Sequence, residues 1–186
     1  MSTKEDIASV KQRMDKAVDD LRRELAGIRT GRASLSLFDS IQVDYYGVPT
    51  PVNQVASLSI PEPSLVTIQP YDGSLIGGIE KAILASDLGL NPSNDGRLIR
   101  IPIPPLNEER RQQLAKHVHK VLEDHRTAVR NIRRDGNDAL KKLLKNKEVS
   151  EDEEKRALDQ IQKLTDDYIK KLEEIAKVKE QEILTV

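Results

Sequence analysis

The chain lacks cysteine and tryptophan, and it has only one phenylalanine and four tyrosines. Without cysteine there can be no disulfide framework, no thiol nucleophile and no zinc–thiolate site, which fits a reducing compartment. The scarcity of aromatic residues predicts an aliphatic core. It also argues against a stacking platform for single-stranded nucleic acid, because such platforms are built from aromatic side chains.

Long apolar runs are missing as well. No segment approaches the roughly 20 apolar residues that a membrane-spanning helix needs. The N-terminus has acidic residues at positions 5 and 6 and no apolar stretch behind them, so it resembles neither a signal nor a transit peptide. We therefore expect a cytoplasmic protein with no membrane partner.

Charge is distributed unevenly, although the net charge is only −1. Residues 107–147 carry twelve Lys/Arg against six Asp/Glu, whereas residues 148–186 carry seven against twelve. Residues 31–106 are mildly acidic. A basic segment beside an acidic one indicates that a single surface recognises an anionic partner.

The basic segment contains a row of arginines within the stretch 126–135. At about 100° per residue, they fall on a narrow strip beside the apolar face of a helix, where Asn137 and Lys141 extend the line. Two interpretations remain open: a surface for a polyanion, or a solvated helix face that partly answers the acidic segment behind it. The row consists of Arg126, Arg130, Arg133 and Arg134.

Apolar spacings of three and four residues predict three long helices, over residues 3–29, 107–145 and 150–184. Their predicted caps are Ser2 with Glu5, Asn107, and Ser150 with Glu153. Heptad-like seams on helices of this length predict that they pack along one another, and the short link near residue 147 makes the last two antiparallel. The seam of the third helix is Leu158, Ile161, Leu164, Tyr168, Leu172, Ile175 and Val178.

The middle of the chain has a different character, because residues 31–105 hold seven of the nine glycines and all nine prolines. Alternating and β-branched residues predict strands at 41–45, 55–60, 65–68 and 98–103, with one helix at 74–86. Residues 46–49 and 91–96 are predicted turns. The sequence thus predicts a small α/β domain inserted between the first two long helices, joined by Thr30-Gly31 and Pro104-Pro105 side by side.

We find no signature of an enzyme. His117 and His119 point to opposite sides of their helix, and His125 lies two turns beyond His117, so none of them forms a metal site. Gly77-Gly78 lacks the Lys and Ser/Thr of a phosphate loop. The residues predict a binding protein with no catalytic site, cofactor or metal.

Several blocks of the chain, in order and over nearly its whole length, resemble the ribosome recycling factor family. The blocks are Ile28-Arg-Thr-Gly-Arg-Ala-Ser34, Tyr45-Tyr-Gly-Val-Pro-Thr-Pro51, Ala85-Ser-Asp-Leu-Gly-Leu-Asn-Pro92, Pro104-Pro-Leu-Asn-Glu-Glu-Arg-Arg111 and Val129-Arg-Asn-Ile-Arg-Arg-Asp135. The resemblance implies an α+β protein: a long antiparallel three-helix bundle with an inserted small β/α/β domain, L-shaped. The bundle would comprise residues 1–30 and 105–186, and the inserted domain residues 31–104.

The resemblance also implies a function. A non-catalytic translation factor of this kind would bind the large ribosomal subunit after termination. With elongation factor G and its GTP hydrolysis, it would then split the ribosome into subunits. We expect a monomer whose hinge is Thr30, Gly31, Pro104 and Pro105. Family arginines that contact ribosomal RNA match Arg29, Arg32, Arg110, Arg130, Arg133 and Arg134, to which the row adds Arg126.

One position departs from the family pattern, because Gly136 stands where an alanine is expected. Glycine inside a helix costs about 0.8–1.0 kcal/mol relative to alanine. It either permits close helix approach or only loosens the helix. The alternative function, from a different class, is a helical adaptor that uses the row to dock an acidic protein.

Overall fold

The computed structural model describes residues 2–185, which form two compact units. The first unit holds the chain up to Leu25 and Ala115–Gln181, and the second holds Ala26–Leu114 and the residues from Glu182 onward. The architecture is α+β, as predicted: three long helices pack as a bundle, and a small β-sheet domain is inserted between the first and second. No helix among the described residues is long and apolar enough to cross a membrane.

The long helices are α1 (Thr3–Ala26), α4 (Glu108–Lys145) and α5 (Glu151–Leu184). All three predicted caps form. The Ser2 and Glu5 side chains each accept the other's backbone N–H, at 3.4 and 2.8 Å, and Ser150 and Glu153 do the same. The Asn107 carboxamide oxygen accepts from the N–H of Arg110 at 2.7 Å. Local capping therefore sets where each helix begins.

The bundle core is aliphatic, with Met14, Leu21, Leu140 and Leu172 all fully buried. In the predicted seam of α5, Ile161, Tyr168 and Leu172 are buried, and Leu158, Leu164 and Ile175 are half-buried. The prediction is wrong at Val178, which is 56% exposed. The buried residues beside the three half-buried positions are Ala157, Thr165 and Ala176, each one position away in the sequence. An α-helix has 3.6 residues per turn, whereas the predicted seam repeats at a shorter average spacing between residues 158 and 178, so it drifts off the contact line.

Gly136 lies on the packed face of α4. A Cβ added there would approach Val10 Cγ2 of α1 to 2.6 Å and Ile161 Cδ1 of α5 to 3.2 Å. The glycine therefore permits close helix approach, which decides between the two interpretations that the sequence left open. All three residues lie in the first unit.

The second unit begins its sheets with a hairpin of β1 (Gln42–Tyr45) and β2 (Val48–Pro51). Strand β2 was not predicted, because its two prolines indicated a turn. The turn is confined to Tyr46 and Gly47, whose φ values are +50° and +81°. Two successive positive φ values make the type I′ turn that suits two-residue hairpins, and the prolines are tolerated because β2 is an edge strand.

A four-stranded antiparallel sheet completes this unit. One helical turn, α2 (Val52–Val55), leads into it, and α3 (Ile76–Ala85) packs nearby, with Gly78 close enough to Val43 that a Cβ would stand 3.1 Å from Cγ2. The core of this unit, which includes Ile68 and Ile99, is aliphatic except for Phe38. The strands of the sheet are β3 (Ala56–Glu62), β4 (Leu65–Pro70), β5 (Ser93–Asn94) and β6 (Ile99–Pro102). Their order across the sheet is β3-β4-β6-β5.

Candidate nucleic-acid interface

Two members of the arginine row, Arg130 and Arg134, are exposed on α4. Neither has a hydrogen bond or an ion pair within the part of the chain that the structure describes. Their neighbours Val129 and Ile132 are buried, so the apolar seam fixes the helix and leaves the two guanidinium groups in solvent. These are two unneutralised positive charges on a rigid element.

Arg133 has a neutral partner. Its Nη1 donates to the amide oxygen of Gln162 on α5 at 3.3 Å, which steadies the side chain without cancelling its charge. The nearby carboxylate of Asp135 is engaged elsewhere, because Arg13 Nη2 lies 2.7 Å from its Oδ2. Arg133 therefore keeps its full charge beside Arg130 and Arg134.

Arg126 differs from the rest of the row, because two carboxylates neutralise it. Its guanidinium contacts Glu123 on the same helix and Glu173 on α5, the latter at 2.5 Å, and its side chain is only 23% exposed. Burial lowers the pKa of Arg126, but hydrogen bonds and charges from both glutamates outweigh that effect and raise it above its usual value. For this residue, the pairing with the acidic segment that the sequence suggested does occur.

The second unit holds another group of arginines. Burial, and then the charge of Arg110, lower the pKa of Arg29 from its ordinary value. The Nη1 of Arg110 donates to the neutral amide of Gln113 at 3.2 Å, and no carboxylate pairs with either arginine among residues 2–185. Arg32 is exposed. Two neighbouring cations without a counter-ion are suited to an anion that bridges them.

Two segments contain the predicted hinge residues, Thr30-Gly31 in one and Pro104-Pro105 in the other. Both segments are hydrogen-bonded next to the hinge to adjacent residues of one loop, Pro63 and Ser64. The N–H of Ala33 donates to Pro63, at 2.8 Å, and the N–H of Ile103 donates to the adjacent Ser64, at 2.7 Å. Gly31 has a φ of +82°, which glycine adopts without strain. The prolines are exposed, whereas Ile28 and Leu106 flank the segments as buried anchors.

Sequence reasoning missed one surface feature. The few aromatic residues were considered only as a stacking platform for single-stranded nucleic acid, and their positions on the surface were not predicted. Tyr45, Tyr46 and Tyr71 are all exposed, in the second unit. One sequence signal could have set this region apart from the arginine row: the stretch between Arg32 and Lys81 has five carboxylates and no lysine or arginine. No cluster of His, Cys, Asp or Glu within the described ranges could hold a metal ion.

Comparison with known proteins gives a consistent result. The family model described as "Ribosome recycling factor" matches residues 21–184. A ribosome-recycling factor of Geobacillus kaustophilus is 60% identical over 183 residues, 98% of this chain and 99% of the relative. One from Shouchella clausii is 59% identical over 184 residues, 99% of this chain and 100% of the relative.

Two solved structures are also similar. The "solution structure of the ribosome recycling factor" matches with a TM-score of 0.82 and 41% identity, covering 100% of this chain and 99% of that one. The T. thermophilus ribosome recycling factor, bound with E. coli elongation factor G to the E. coli post-termination complex, matches with a TM-score of 0.68 and 48% identity. This match covers 99% of this chain and 100% of that one.

Proposed function

This chain belongs to the ribosome recycling factor family, and we propose that it binds ribosomal RNA of the large subunit through its unneutralised arginines. As a member of this family it is a non-catalytic, cytoplasmic translation factor that splits post-termination ribosomes together with elongation factor G. The observation that carries the RNA-binding proposal is that Arg130, Arg133 and Arg134 keep their charge, although an acidic helix packs beside them.

The chemistry of this surface suits phosphate. A guanidinium group stays charged and presents a planar fork of donors that can grip two phosphate oxygens at once. Contacts of this kind position a protein on RNA but carry no sequence information. We therefore infer that the factor recognises the shape of folded RNA, with elongation factor G supplying the GTP hydrolysis.

The proposed surface has two parts. In the first unit it consists of Arg130, Arg133 and Arg134, with a lesser contribution from Arg126 because its charge is already balanced. In the second unit it consists of Arg29, Arg32 and Arg110, where the like charges of Arg29 and Arg110 favour a bound phosphate. The RNA-binding domain would comprise residues 1–30 and 105–186, which hold every arginine of this surface except Arg32, and residues 31–104 would form the inserted domain.

The experiment is a binding and splitting assay with purified large subunits and post-termination ribosomes. Arg133→Ala should weaken binding by roughly 1–3 kcal/mol, the scale of a hydrogen bond to a charged group, and slow splitting at limiting factor. Arg126→Ala should cost less, because it removes a charge that is already neutralised. Arg23→Ala is the control, since this residue is 80% exposed and lies outside both groups. If the unaltered chain and the three variants all bound large subunits with equal affinity, the proposed RNA contact by the arginine row would be refuted.

We also propose that Thr30-Gly31 and Pro104-Pro105 act as the hinge on which elongation factor G works. Support comes from their common attachment to Pro63 and Ser64, and from the positive φ of Gly31. Proline cannot adopt that φ, so a Gly31→Pro variant would distort the segment and would not simply stiffen it.

Because the chain has no cysteine, dyes can be placed at two chosen positions without further changes. Lys163→Cys in the first unit and Lys81→Cys in the second are exposed and suitable for single-molecule energy transfer. We expect the distribution of transfer efficiency to shift when elongation factor G and GTP are added to ribosome-bound factor. A single unchanged value throughout splitting would contradict the hinge.

A further inference from the structure

Gln162 of α5 holds one of the three charged arginines in place. Arg133 Nη1 donates to its amide oxygen at 3.3 Å, whereas no hydrogen bond or ion pair holds Arg130 or Arg134 within the described part of the chain. Arg133 is also the half-buried member of the three, while the other two are exposed. One arginine of the proposed RNA-binding surface is therefore oriented before any partner arrives.

The amide of Gln162 can present only its oxygen to Arg133. Its Nε2 donates to Asp166 Oδ1 at 2.9 Å, one turn further along α5. An ionised carboxylate accepts hydrogen bonds and cannot donate them, so the amide nitrogen must face Asp166. A flipped amide would lose that bond and would point its N–H groups at a guanidinium group, which has no acceptor. Asp166 thus fixes which side of the amide Arg133 meets.

The same pair of helices treats Arg126 differently. Glu173 of α5 contacts Arg126 at 2.5 Å and, together with Glu123, neutralises it. Glutamine has nearly the same shape as glutamate, but its amide carries no charge. The side chain that α5 places against each arginine therefore decides whether the charge stays available. A carboxylate removes it at Arg126, and an amide leaves it at Arg133.

Arg133 retains donors for a ligand. A guanidinium group has several N–H donors, and the bond to Gln162 engages only Nη1. The remaining donors can form the parallel pair of bonds that grips two phosphate oxygens. Holding a long side chain in place before binding reduces the conformational entropy that is lost on binding. An arginine that is both oriented and charged therefore binds phosphate more tightly than one that rotates freely.

We propose that Gln162 is a positioning residue for the binding of ribosomal RNA: it orients Arg133 for contact with phosphate without neutralising it. This rests on the proposed function, in which Arg133 contacts RNA of the large subunit. Gln162 acts through Arg133 and not by a contact of its own. Glutamate at this position would remove the charge, and alanine would remove the orientation, so the two substitutions separate the two roles.

Gln162→Glu is the main test. The new carboxylate should pair with Arg133 as Glu173 pairs with Arg126, and the affinity for purified large subunits should fall by about tenfold or more. The slope of the logarithm of affinity against that of salt concentration should become shallower by about 0.7–0.9, because one phosphate contact is lost. The matched control is Gln160→Glu, which adds the same charge to an exposed position of α5 about 200° around the helix. It should leave the affinity and the slope close to those of the unaltered chain.

Gln162→Ala tests the orientation alone. Because Arg133 keeps its charge in this variant, the number of phosphate contacts and the salt slope should not change. The affinity should fall by about two- to tenfold, since the side chain of Arg133 must now be ordered during binding. Gln162 is exposed, so both variants should fold, and a thermal melt checks this. An unchanged affinity or a shallower slope would overturn the positioning role.

An Arg133→Ala background distinguishes a positioning residue from a direct contact. Both Gln162 substitutions should lose their effect there, because the side chain through which they act is missing. If Gln162→Glu weakened binding as much in that background, Gln162 would act independently of Arg133 and the proposal would be wrong. If Arg133→Ala alone bound large subunits as tightly as the unaltered chain, the proposed RNA contact itself would fail. The two failures are therefore distinguishable.

Discussion

The arginine row and the three exposed tyrosines of the second unit, Tyr45, Tyr46 and Tyr71, are features of opposite character on one chain. The row is cationic and polar, and it lies on a helix whose narrow apolar seam leaves most of its circumference free for charge. Tyr45 and Tyr46 lie on a short hairpin whose turn exposes large side chains, and Tyr71 follows β4. The segment between Arg32 and Lys81 that holds them has carboxylates but no lysine or arginine. The difference teaches that a net charge of −1 for the whole chain does not describe its parts: one segment presents unneutralised arginines, and another presents exposed tyrosines without a lysine or arginine.

The largest expected effect concerns the separate cores beneath these surfaces. Phe38 is 1% exposed in the core of the second unit, and Phe38→Ala should lower the free energy of unfolding of that unit by about 3–5 kcal/mol. Hydrogen exchange should then show loss of amide protection in β3, β4 and β6, while α4 near the row keeps its protection. Leu140→Ala, in the bundle core, is the reciprocal control. Equal loss of protection in both units would mean that the two surfaces rest on one cooperative structure.

A smaller effect is expected from Gly136, beside the row. In Gly136→Ala, the gain in helix propensity is about 0.8–1.0 kcal/mol, but the new Cβ meets the stiff, branched side chain of Val10 at 2.6 Å. Overpacking costs about 1–3 kcal/mol, so we expect net destabilisation, of about 1 kcal/mol. In a Val10→Ala background the same substitution should become stabilising, which chemical denaturation of the four proteins can measure. Stabilisation by Gly136→Ala alone would show that Val10 yields easily.

The smallest effect concerns a tyrosine hydroxyl in the bundle. Tyr168 is buried and its hydroxyl donates to Asp15 on α1. Burial, and then that hydrogen bond and the charge of Asp15, raise the pKa of Tyr168 to about 12. Because the folded pKa exceeds the unfolded value near 10, this group's stabilisation is complete below about pH 10 and is lost towards pH 12.

Tyr168→Phe should therefore cost about 0.5–1.5 kcal/mol at neutral pH, and the difference should shrink between pH 10 and 12. Denaturation with guanidinium chloride at several pH values measures it. A constant difference up to pH 12 would mean that the hydroxyl does not determine the pH dependence.

The sequence predicted the parts of the structure that neighbouring residues determine, and it missed parts that depend on contacts between distant segments. The helix starts were predictable because Ser2, Asn107 and Ser150 cap their own helices. Strand β2 was not, because Pro49 and Pro51 indicate a turn unless the strand is known to lie at an edge. Val178 was misplaced because seam spacing alone does not reveal a drift of the contact line.

The site was predictable in the same limited way. Helical periodicity placed Arg126, Arg130 and Arg133 together, but it could not show that Glu173 of another helix neutralises Arg126. Nor could it show that Val10 lies against Gly136. Tyr71 lies near Tyr45 only through the fold, because three strands and a helical turn separate the two residues in the sequence. Contacts between distant segments are the part that sequence patterns do not specify.

The central claim is that Arg130, Arg133 and Arg134 bind phosphates of ribosomal RNA. The most direct measurement is the affinity of the chain for large ribosomal subunits over a range of salt concentrations, compared with that of a variant with all three arginines changed to alanine. Each phosphate contact contributes a slope of roughly −0.7 to −0.9 to the logarithm of affinity against that of salt concentration. We predict that the variant's slope is shallower by about two to three. Parallel lines for the two proteins would contradict the claim.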